Sequence, residues 1–269
     1  MSEDEMGKSV GEGRTAELGR ALEAVRRRID RAVADAGRAS APRLVVVTKF
    51  HPAEDVRRLS ELGVEDVGEN RDQEASAKAA EVDALAGAAG RGSSGPTWHF
   101  IGQLQSNKAK SVVQYAGAVH SVDRASLVKA LSAAMSREQA RRREAGWGAR
   151  RDLDCLIQVD LDPRPPHERP AGIGSRGGAQ PDEVPALAER IDAAEGLALR
   201  GLMAVAPLGL DPGPAFRRLR ELSVALVTRH PGATWISAGM SQDLEQAVAA
   251  GATHLRVGTD VLGPRPEVG

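Results

Sequence analysis

Several side chains in this sequence have types and spacings that suit covalent and anion-binding chemistry, and the first of them is Lys49. It ends the run Leu44-Val-Val-Val-Thr-Lys49-Phe-His-Pro52, an apolar, β-branched stretch held between Pro42 and Pro52 and too short for a helix. Such a run predicts a strand buried on both faces. Lysine is rarely buried without a partner, and a low dielectric favours its neutral amine, the form that attacks a carbonyl. A lysine here also fits the plainer role of marking the strand's solvated end. Two more clusters bear on that choice. Ser237-Ala-Gly239-Met-Ser241 and Arg256-Val-Gly258-Thr259 each join glycine to hydroxyl residues after a short apolar run. That composition suits a phosphate or other anion as well as an ordinary turn and cap.

The elements that must position these groups are legible in the hydrophobic periodicity. Leu18, Leu22, Val25, Ile29 and Val33 recur at three- and four-residue steps after Thr15, a candidate N-cap, and predict a helix ending at Gly37. Residues 1–13, polar and glycine-containing, predict a disordered lead. Strands are then predicted over 44–48, 64–70, 97–102, 118–122, 153–160, 199–205, 234–237 and 253–257. They alternate with helices over 53–62, 71–85, from 107, from 124, 183–194, 213–228 and 241–249. The Gly/Ser segment 87–95 and the Pro/Gly-rich segment 163–181 read as loops. Eight βα units over this length predict a single (β/α)8 TIM barrel of the α/β class over residues 14–265. An extra N-terminal helix precedes it, a tail at 266–269 follows it, and no C-terminal β domain is expected. The alternative, an open doubly wound sheet, would carry a glycine-rich turn after its first strand, whereas Thr48-Lys-Phe-His-Pro52 has no glycine. In a barrel, functional residues lie at the C-terminal ends of strands. Those ends hold Lys49, Glu69-Asn70, His99 with Gly102-Gln103, Ser121 to Asp123, and the two glycine-hydroxyl clusters after the seventh and eighth strands. Loops after strands seven and eight are where such barrels commonly bind phosphate.

Composition narrows the function classes. A chain of 269 residues, 41% hydrophobic, supports a full core. No apolar stretch approaches the ~20 residues of a membrane span, and the N-terminus lacks the basic-then-apolar order of a signal peptide. A cytoplasmic protein with no membrane partner is therefore expected. The single cysteine, Cys155, sits in an apolar run and reads as a small core residue. A net charge of −1 and 3% aromatic residues speak against a nucleic-acid partner. The 6 histidines show no His-x3-His spacing and there is no cysteine pair, so no metal site is predicted. The arginine triplets at 26–28 and 141–143 read as solvated helix faces.

A buried lysine facing a phosphate cup across a barrel mouth suits an aldehyde-bearing phosphate cofactor, held covalently as a Schiff base and electrostatically by its phosphate; pyridoxal 5'-phosphate is that molecule. The same arrangement suits a lyase whose lysine attacks a sugar phosphate. Arg256 separates the two. Strand alternation puts it on one face with His254 and Gly258, beside the cup and within reach of a ring nitrogen. Arginine only donates and stays charged, so a pyridine nitrogen bonded to it would remain unprotonated and act as a weak electron sink. His99 reads equally as a core histidine and as a ring contact.

Val47-Thr-Lys49, Gly68-Glu-Asn-Arg-Asp-Gln-Glu74, Trp98-His-Phe-Ile-Gly-Gln-Leu-Gln-Ser-Asn-Lys108, His120-Ser-Val-Asp123, Gly201-Leu-Met203, Ser237-Ala-Gly-Met-Ser241 and Arg256-Val-Gly-Thr259 together resemble the pyridoxal phosphate homeostasis protein family. The resemblance runs from about residue 15 to Arg265. It implies a barrel like the N-terminal domain of alanine racemase, with pyridoxal phosphate bound through Lys49. Arg256 would face the pyridine nitrogen, Ser237, Gly239, Ser241, Gly258 and Thr259 would hold the phosphate, and Asn70 and His99 would lie beside the ring. Two positions depart from the family pattern: Phe50, where a small hydroxyl residue is frequent, and Ala238, where methionine is expected. The resemblance further implies a carrier and regulator of vitamin B6 and amino-acid balance; amino acids and apo-enzymes are the expected partners and a monomer the expected state. No turnover is expected. A two-base racemase needs a second acid/base, usually a tyrosine from another domain. Here the 1 tyrosine, Tyr115, falls by the helix after the third strand, and the sequence runs only twelve residues past Val257. A pyridoxal-dependent amino-acid racemase is the alternative, and a Schiff-base sugar-phosphate lyase the third reading.

Overall fold

Strands that are apolar on both faces need helices outside and a filled interior, and this chain meets both needs by closing its sheet on itself. The computed structural model describes residues 3–88, 95–170 and 177–265. In chain order the elements are α1 (Glu3–Asp35), β1 (Arg43–Val47), α2 (Ala53–Glu61), β2 (Asp66–Glu69), α3 (Asp72–Ala88), β3 (Thr97–Phe100), α4 (Ala109–Tyr115), β4 (Ala116–Val122) and α5 (Ala125–Glu144). They continue with β5 (Leu153–Gln158), α6 (Val184–Asp192), β6 (Leu197–Met203), α7 (Pro212–Arg229), β7 (Trp235–Ser237), α8 (Leu244–Ala249), β8 (His254–Val257) and α9 (Thr259–Leu262). Every strand pairs in parallel with its neighbours, and β8 returns to β1 with Val45 opposite Arg256, giving the closed (β/α)8 barrel that the eight units predict.

Strand alternation sorts the side chains into two layers. Val67, Phe100, Val119, Ile236, Leu255 and Val257 join the apolar core beneath the helices. Their neighbours Asp66, His99, His120, Ser237, His254 and Arg256 are equally buried but face inward, where all but His254 are joined by hydrogen bonds. A barrel interior is normally filled with branched aliphatic residues. This one carries a polar column, and that column leads to the functional end. Cys155 is fully buried in the outer core, as its sequence context predicts, and burial pushes its thiol up.

Two boundaries differ from expectation. The first helix begins at Glu3, inside the segment predicted as a disordered lead, so Thr15 lies within it and does not cap it. Gly7, Gly11 and Gly13 weaken a helix by about 1 kcal/mol each without breaking it, and no proline intervenes. The stripe Leu18, Leu22, Val25 and Ile29 is buried as its spacing requires. Salt bridges from Arg28 to Glu245 and Asp260, and from Arg14 to Asp55, tie α1 across the α2, α8 and α9 side of the ring. The eighth helix of the ring begins at Leu244, three residues later than Ser241, because Asp243 folds back to accept the Met240 N–H at 2.6 Å and makes a turn of residues 241–243. Residues 89–94 of the Gly/Ser loop, 171–176 of the Pro/Gly-rich loop and the tail 266–269 lie outside the described residues. Among the described residues no helix is long and apolar enough to cross a membrane.

Candidate functional site

At the C-terminal mouth of the barrel a cavity of about 410 Å³ is lined by Lys49, Ser241, Arg256, Gly258 and Thr259, five of the nine residues that the sequence nominates. The lysine comes from the end of β1, the serine from the turn after β7, and the other three from the end of β8 and the start of α9. Register brings them together: Val46 lies opposite Val257, which places the residues after each strand side by side. The opposite wall is the segment from Ala206 to Leu210 after β6. Nothing in Ala206-Pro-Leu-Gly-Leu210 marks it as functional, and only closure of the barrel carries it there.

Lys49 is half-buried, and its ammonium is pushed down from the usual 10.5 first by burial, then by the guanidinium of Arg265 and, less strongly, that of Arg71. Glu69 and Glu74 oppose the shift without reversing it. A buried brace holds the backbone on either side. Lys78 Nζ donates to the Thr48 carbonyl at 2.8 Å, to Glu69 Oε1 at 2.6 Å and to Glu74 Oε1 at 3.0 Å. Thr48 Oγ1 donates to Glu69 Oε1 at 2.7 Å, and Glu74 Oε1 takes the Phe50 N–H. Phe50 has φ of 69°, a left-handed conformation that strains a non-glycine residue by about 1–3 kcal/mol and persists only when its surroundings impose it. The sequence hides Lys78, because a lysine four residues after a glutamate on a helix reads as an ordinary surface pair.

Arg256 is 4% exposed and opens onto the cavity floor. Its Nη1 donates to Ser237 Oγ and its Nη2 to the Ala204 carbonyl at 2.9 Å. Burial lowers its pKa to about 10, which leaves it charged at neutral pH. Ser237 Oγ also meets His120 Nδ1 at 2.9 Å, His120 Nε2 meets His99 Nδ1 at 2.8 Å, and His99 Nε2 meets Asp66 Oδ1 at 2.9 Å. Ser237 and His99, two of the nominated residues, are held in this chain beneath Arg256 and are not among the residues that line the cavity. Gly239 also sits behind the wall, its carbonyl accepting the Arg256 N–H at 2.9 Å. It is glycine for a packing reason: at φ +90° a Cβ would lie 2.5 Å from the Ala247 Cβ. Asn70 follows β2 with its Oδ1 buried and unpartnered among the described residues. Its backbone is held close to Gly102, where a Cβ would meet the Asn70 carbonyl oxygen at 2.2 Å. Tyr115 ends α4 and packs edge-on against Trp98, outside the cavity.

Residues 21–266 match the family described as alanine racemase, N-terminal domain. A pyridoxal phosphate homeostasis protein of Mycobacterium bovis is 44% identical over 257 residues, spanning 94% of each chain. The Pseudomonas aeruginosa protein of the same name is 38% identical over 82% of this chain and 84% of its own. The chain belongs to the pyridoxal phosphate homeostasis protein family. A solved member, PipY of Synechococcus elongatus with pyridoxal phosphate bound, is 31% identical and superposes with a TM-score of 0.68 over 91% of this chain and 100% of that one. The alanine racemase of Streptomyces coelicolor, 18% identical with a TM-score of 0.65 over 92% of this chain and 58% of its own, shares the fold.

The two departures from the homeostasis family's pattern have different consequences. Ala238 is buried in the outer core beneath the helices, so its smaller side chain leaves the cavity unaltered. Phe50 stands beside Lys49 and carries the guanidinium groups of Arg71 and Arg265 over its ring, at 5.2 and 4.7 Å from the centroid. Cation–π contact of this kind holds both charges near the lysine. The histidine missed by sequence reasoning is His120. It stands in the quoted run His120-Ser-Val-Asp123, and its signal was strand parity, which turns it inward beside His99.

Proposed function

We propose that this chain binds pyridoxal 5'-phosphate and carries or buffers it; its relatives are named for pyridoxal phosphate homeostasis, and PipY is solved with pyridoxal phosphate bound. The observation that carries the reading is the one cavity that joins Lys49, with its lowered pKa, to Arg256 and to the hydroxyls of Ser241 and Thr259. The residues fit such a group. Arg256 keeps N–H donors toward the cavity, a complement to the lone pair of a pyridine nitrogen. Asn70 Oδ1, just past the end of β2, is a buried acceptor with no partner among the described residues. Ser241, Gly258 and Thr259 offer hydroxyl and close backbone approach to a phosphate. A bound cofactor would supply an aldehyde, and Lys49 would offer the amine nucleophile toward it. The neutral amine needed for that step is favoured by burial and by the two nearby guanidinium groups.

The carrier reading is preferred over an enzyme for a reason at the site. The titratable groups lining the cavity are Lys49, Arg256 and Asp243. Arg256 only donates, Asp243 accepts the Met240 N–H through Oδ1, and Glu69 and Glu74 near Lys49 are paired with Lys78, an arrangement that favours binding over proton transfer opposite Lys49. One missing general acid–base typically lowers a rate by roughly 10²–10⁴. Partners of this reading are amino acids that exchange with the lysine and apo-enzymes that receive the cofactor, in vitamin B6 and amino-acid homeostasis. Incubation of the loaded protein with L-alanine in D₂O tests it. The carrier reading expects a change in absorption with negligible α-deuteration or D-isomer. Steady deuteration or racemisation, abolished by Lys49→Ala, would establish the racemase instead.

A further inference from the structure

Arg256 is a buried cation that no carboxylate bonds among the described residues; its hydrogen-bond partners there are a hydroxyl and a backbone carbonyl. Burying a charge without a counter-ion is costly, so something must supply acceptors while leaving the charge itself free. The chain behind Ser237 does so with one fixed direction. A guanidinium only donates, so Ser237 Oγ accepts from Arg256. The serine's own hydrogen has one partner among the described residues, His120 Nδ1. An acceptor at Nδ1 puts the hydrogen of a neutral His120 on Nε2, which donates to His99 Nδ1. His99 then carries its hydrogen on Nε2 and donates to Asp66 Oδ1. The chain ends at the first residue of β2, where Arg43 pairs with the Asp66 carboxylate at 2.7 Å. We propose that His120 and His99 are positioning residues for Arg256: through Ser237 they hold its guanidinium by a one-directional hydrogen-bond chain that ends on Asp66 at the opposite end of the barrel. A carboxylate bonded directly to Arg256 would neutralise it at the cavity. The relay keeps that carboxylate three side chains away, so the guanidinium is oriented and its charge stays available to an electron pair in the cavity. His120 is held neutral by its complete burial and by the nearby charge, as this role requires.

The inference deepens the cofactor reading above and rests on it only for the ligand atom that Arg256 meets; the direction of the chain does not depend on it. Long-range ¹H–¹⁵N correlation spectra of the cofactor-free full-length protein at pH 7, assigned with His99→Gln and His120→Gln, report the tautomers directly. Both histidines are expected to carry hydrogen on Nε2 and none on Nδ1. A hydrogen on Nδ1 of either would overturn the relay, whether or not the protein binds pyridoxal phosphate. Positioning is then read by absorbance titration with pyridoxal phosphate. His120→Leu and Ser237→Ala, which break the chain at different points, should weaken binding about tenfold, the scale of a lost hydrogen bond to a charged group, and shift the band of the bound cofactor. His120→Gln offers both an acceptor and a donor and should restore affinity and band position to within about threefold of the parent. Parental affinity and an unmoved band in Ser237→Ala and His120→Leu would overturn the positioning role.

Discussion

The Lys49 ammonium is destabilised by burial and by two guanidinium groups that it cannot leave, and this has a sign that can be measured. Its folded pKa lies below the unfolded value, so the unfolded chain holds the proton more tightly. Lys49 therefore costs stability at neutral pH, and the penalty disappears as pH rises through the folded pKa toward 10.5. Lys49→Met should raise the melting temperature at pH 7, and the advantage should shrink as pH rises toward 10.5. Borohydride reduction of the loaded protein followed by peptide mass analysis should place the pyridoxyl adduct on Lys49; an adduct on another lysine would refute the anchor. At the other end of the cavity, Ser241→Ala and Thr259→Ala should each weaken binding by about 1 kcal/mol, roughly fivefold in Kd. Isothermal titration with pyridoxal as well as pyridoxal phosphate checks this, because equal affinity for the two would mean that no phosphate is held there.

Between β1 and α2 the chain turns sharply, and the geometry of that turn is imposed by α3. Lys78 reaches from α3 into a buried cluster with Glu69, Glu74 and the Thr48 carbonyl. Burial raises the Glu69 carboxyl despite its pairing with Lys78, and its second oxygen has no partner among the described residues. Such a cluster stabilises little in itself, yet breaking it strands a buried carboxylate. Lys78→Met is expected to lower stability by about 3–5 kcal/mol. It should also release Phe50 from its left-handed conformation and remove covalent cofactor binding, although Lys78 does not line the cavity. Urea unfolding together with borohydride trapping distinguishes this from a surface lysine, whose loss would change neither.

Taken whole, the barrel trades aliphatic filling for a polar column, and its stability should carry the mark of that trade in acid. His254 is packed against Trp235 with ring centroids 4.3 Å apart, and burial, then His99, lowers its pKa from 6.5 to about 3. The fold keeps His254 neutral while the unfolded chain protonates, so stability falls as pH drops below 6.5 and the loss is complete near pH 3. The full effect of a shift of this size is about 5 kcal/mol. Denaturant unfolding at pH 7 and pH 5 should show the onset of that loss in the parent and a flatter dependence in His254→Leu. An equal slope in both would place the acid sensitivity elsewhere.

The eight βα units, the barrel they close and five of the residues that line the cavity are legible in the sequence alone. It could do so because strand burial and strand-end chemistry are local: an apolar run stopped at Lys49, and glycine-hydroxyl clusters stopped at Ser241 and Thr259, report their environment within a few residues. The family motifs were legible for the same reason. Which way an inward side chain is engaged, and what braces the site from afar, emerges only from the folded chain. Ser237 and His99 stand in the right motifs, yet their hydrogen bonds run down the barrel axis to His120 and Asp66, residues 117 and 33 positions away in the chain. Lys78 looks like a surface residue until α3 docks beneath the β1 turn, and Ala206 to Leu210 becomes a cavity wall only when the barrel closes. The start of α8 at Leu244 was likewise hidden, because Ser241-Gln-Asp243 fits a helix cap and a turn equally, and the Asp243 contact with Met240 chose the turn. Local pattern fixes which face of a strand is buried; which of the buried groups meet is fixed by register and closure, which no short stretch of sequence contains.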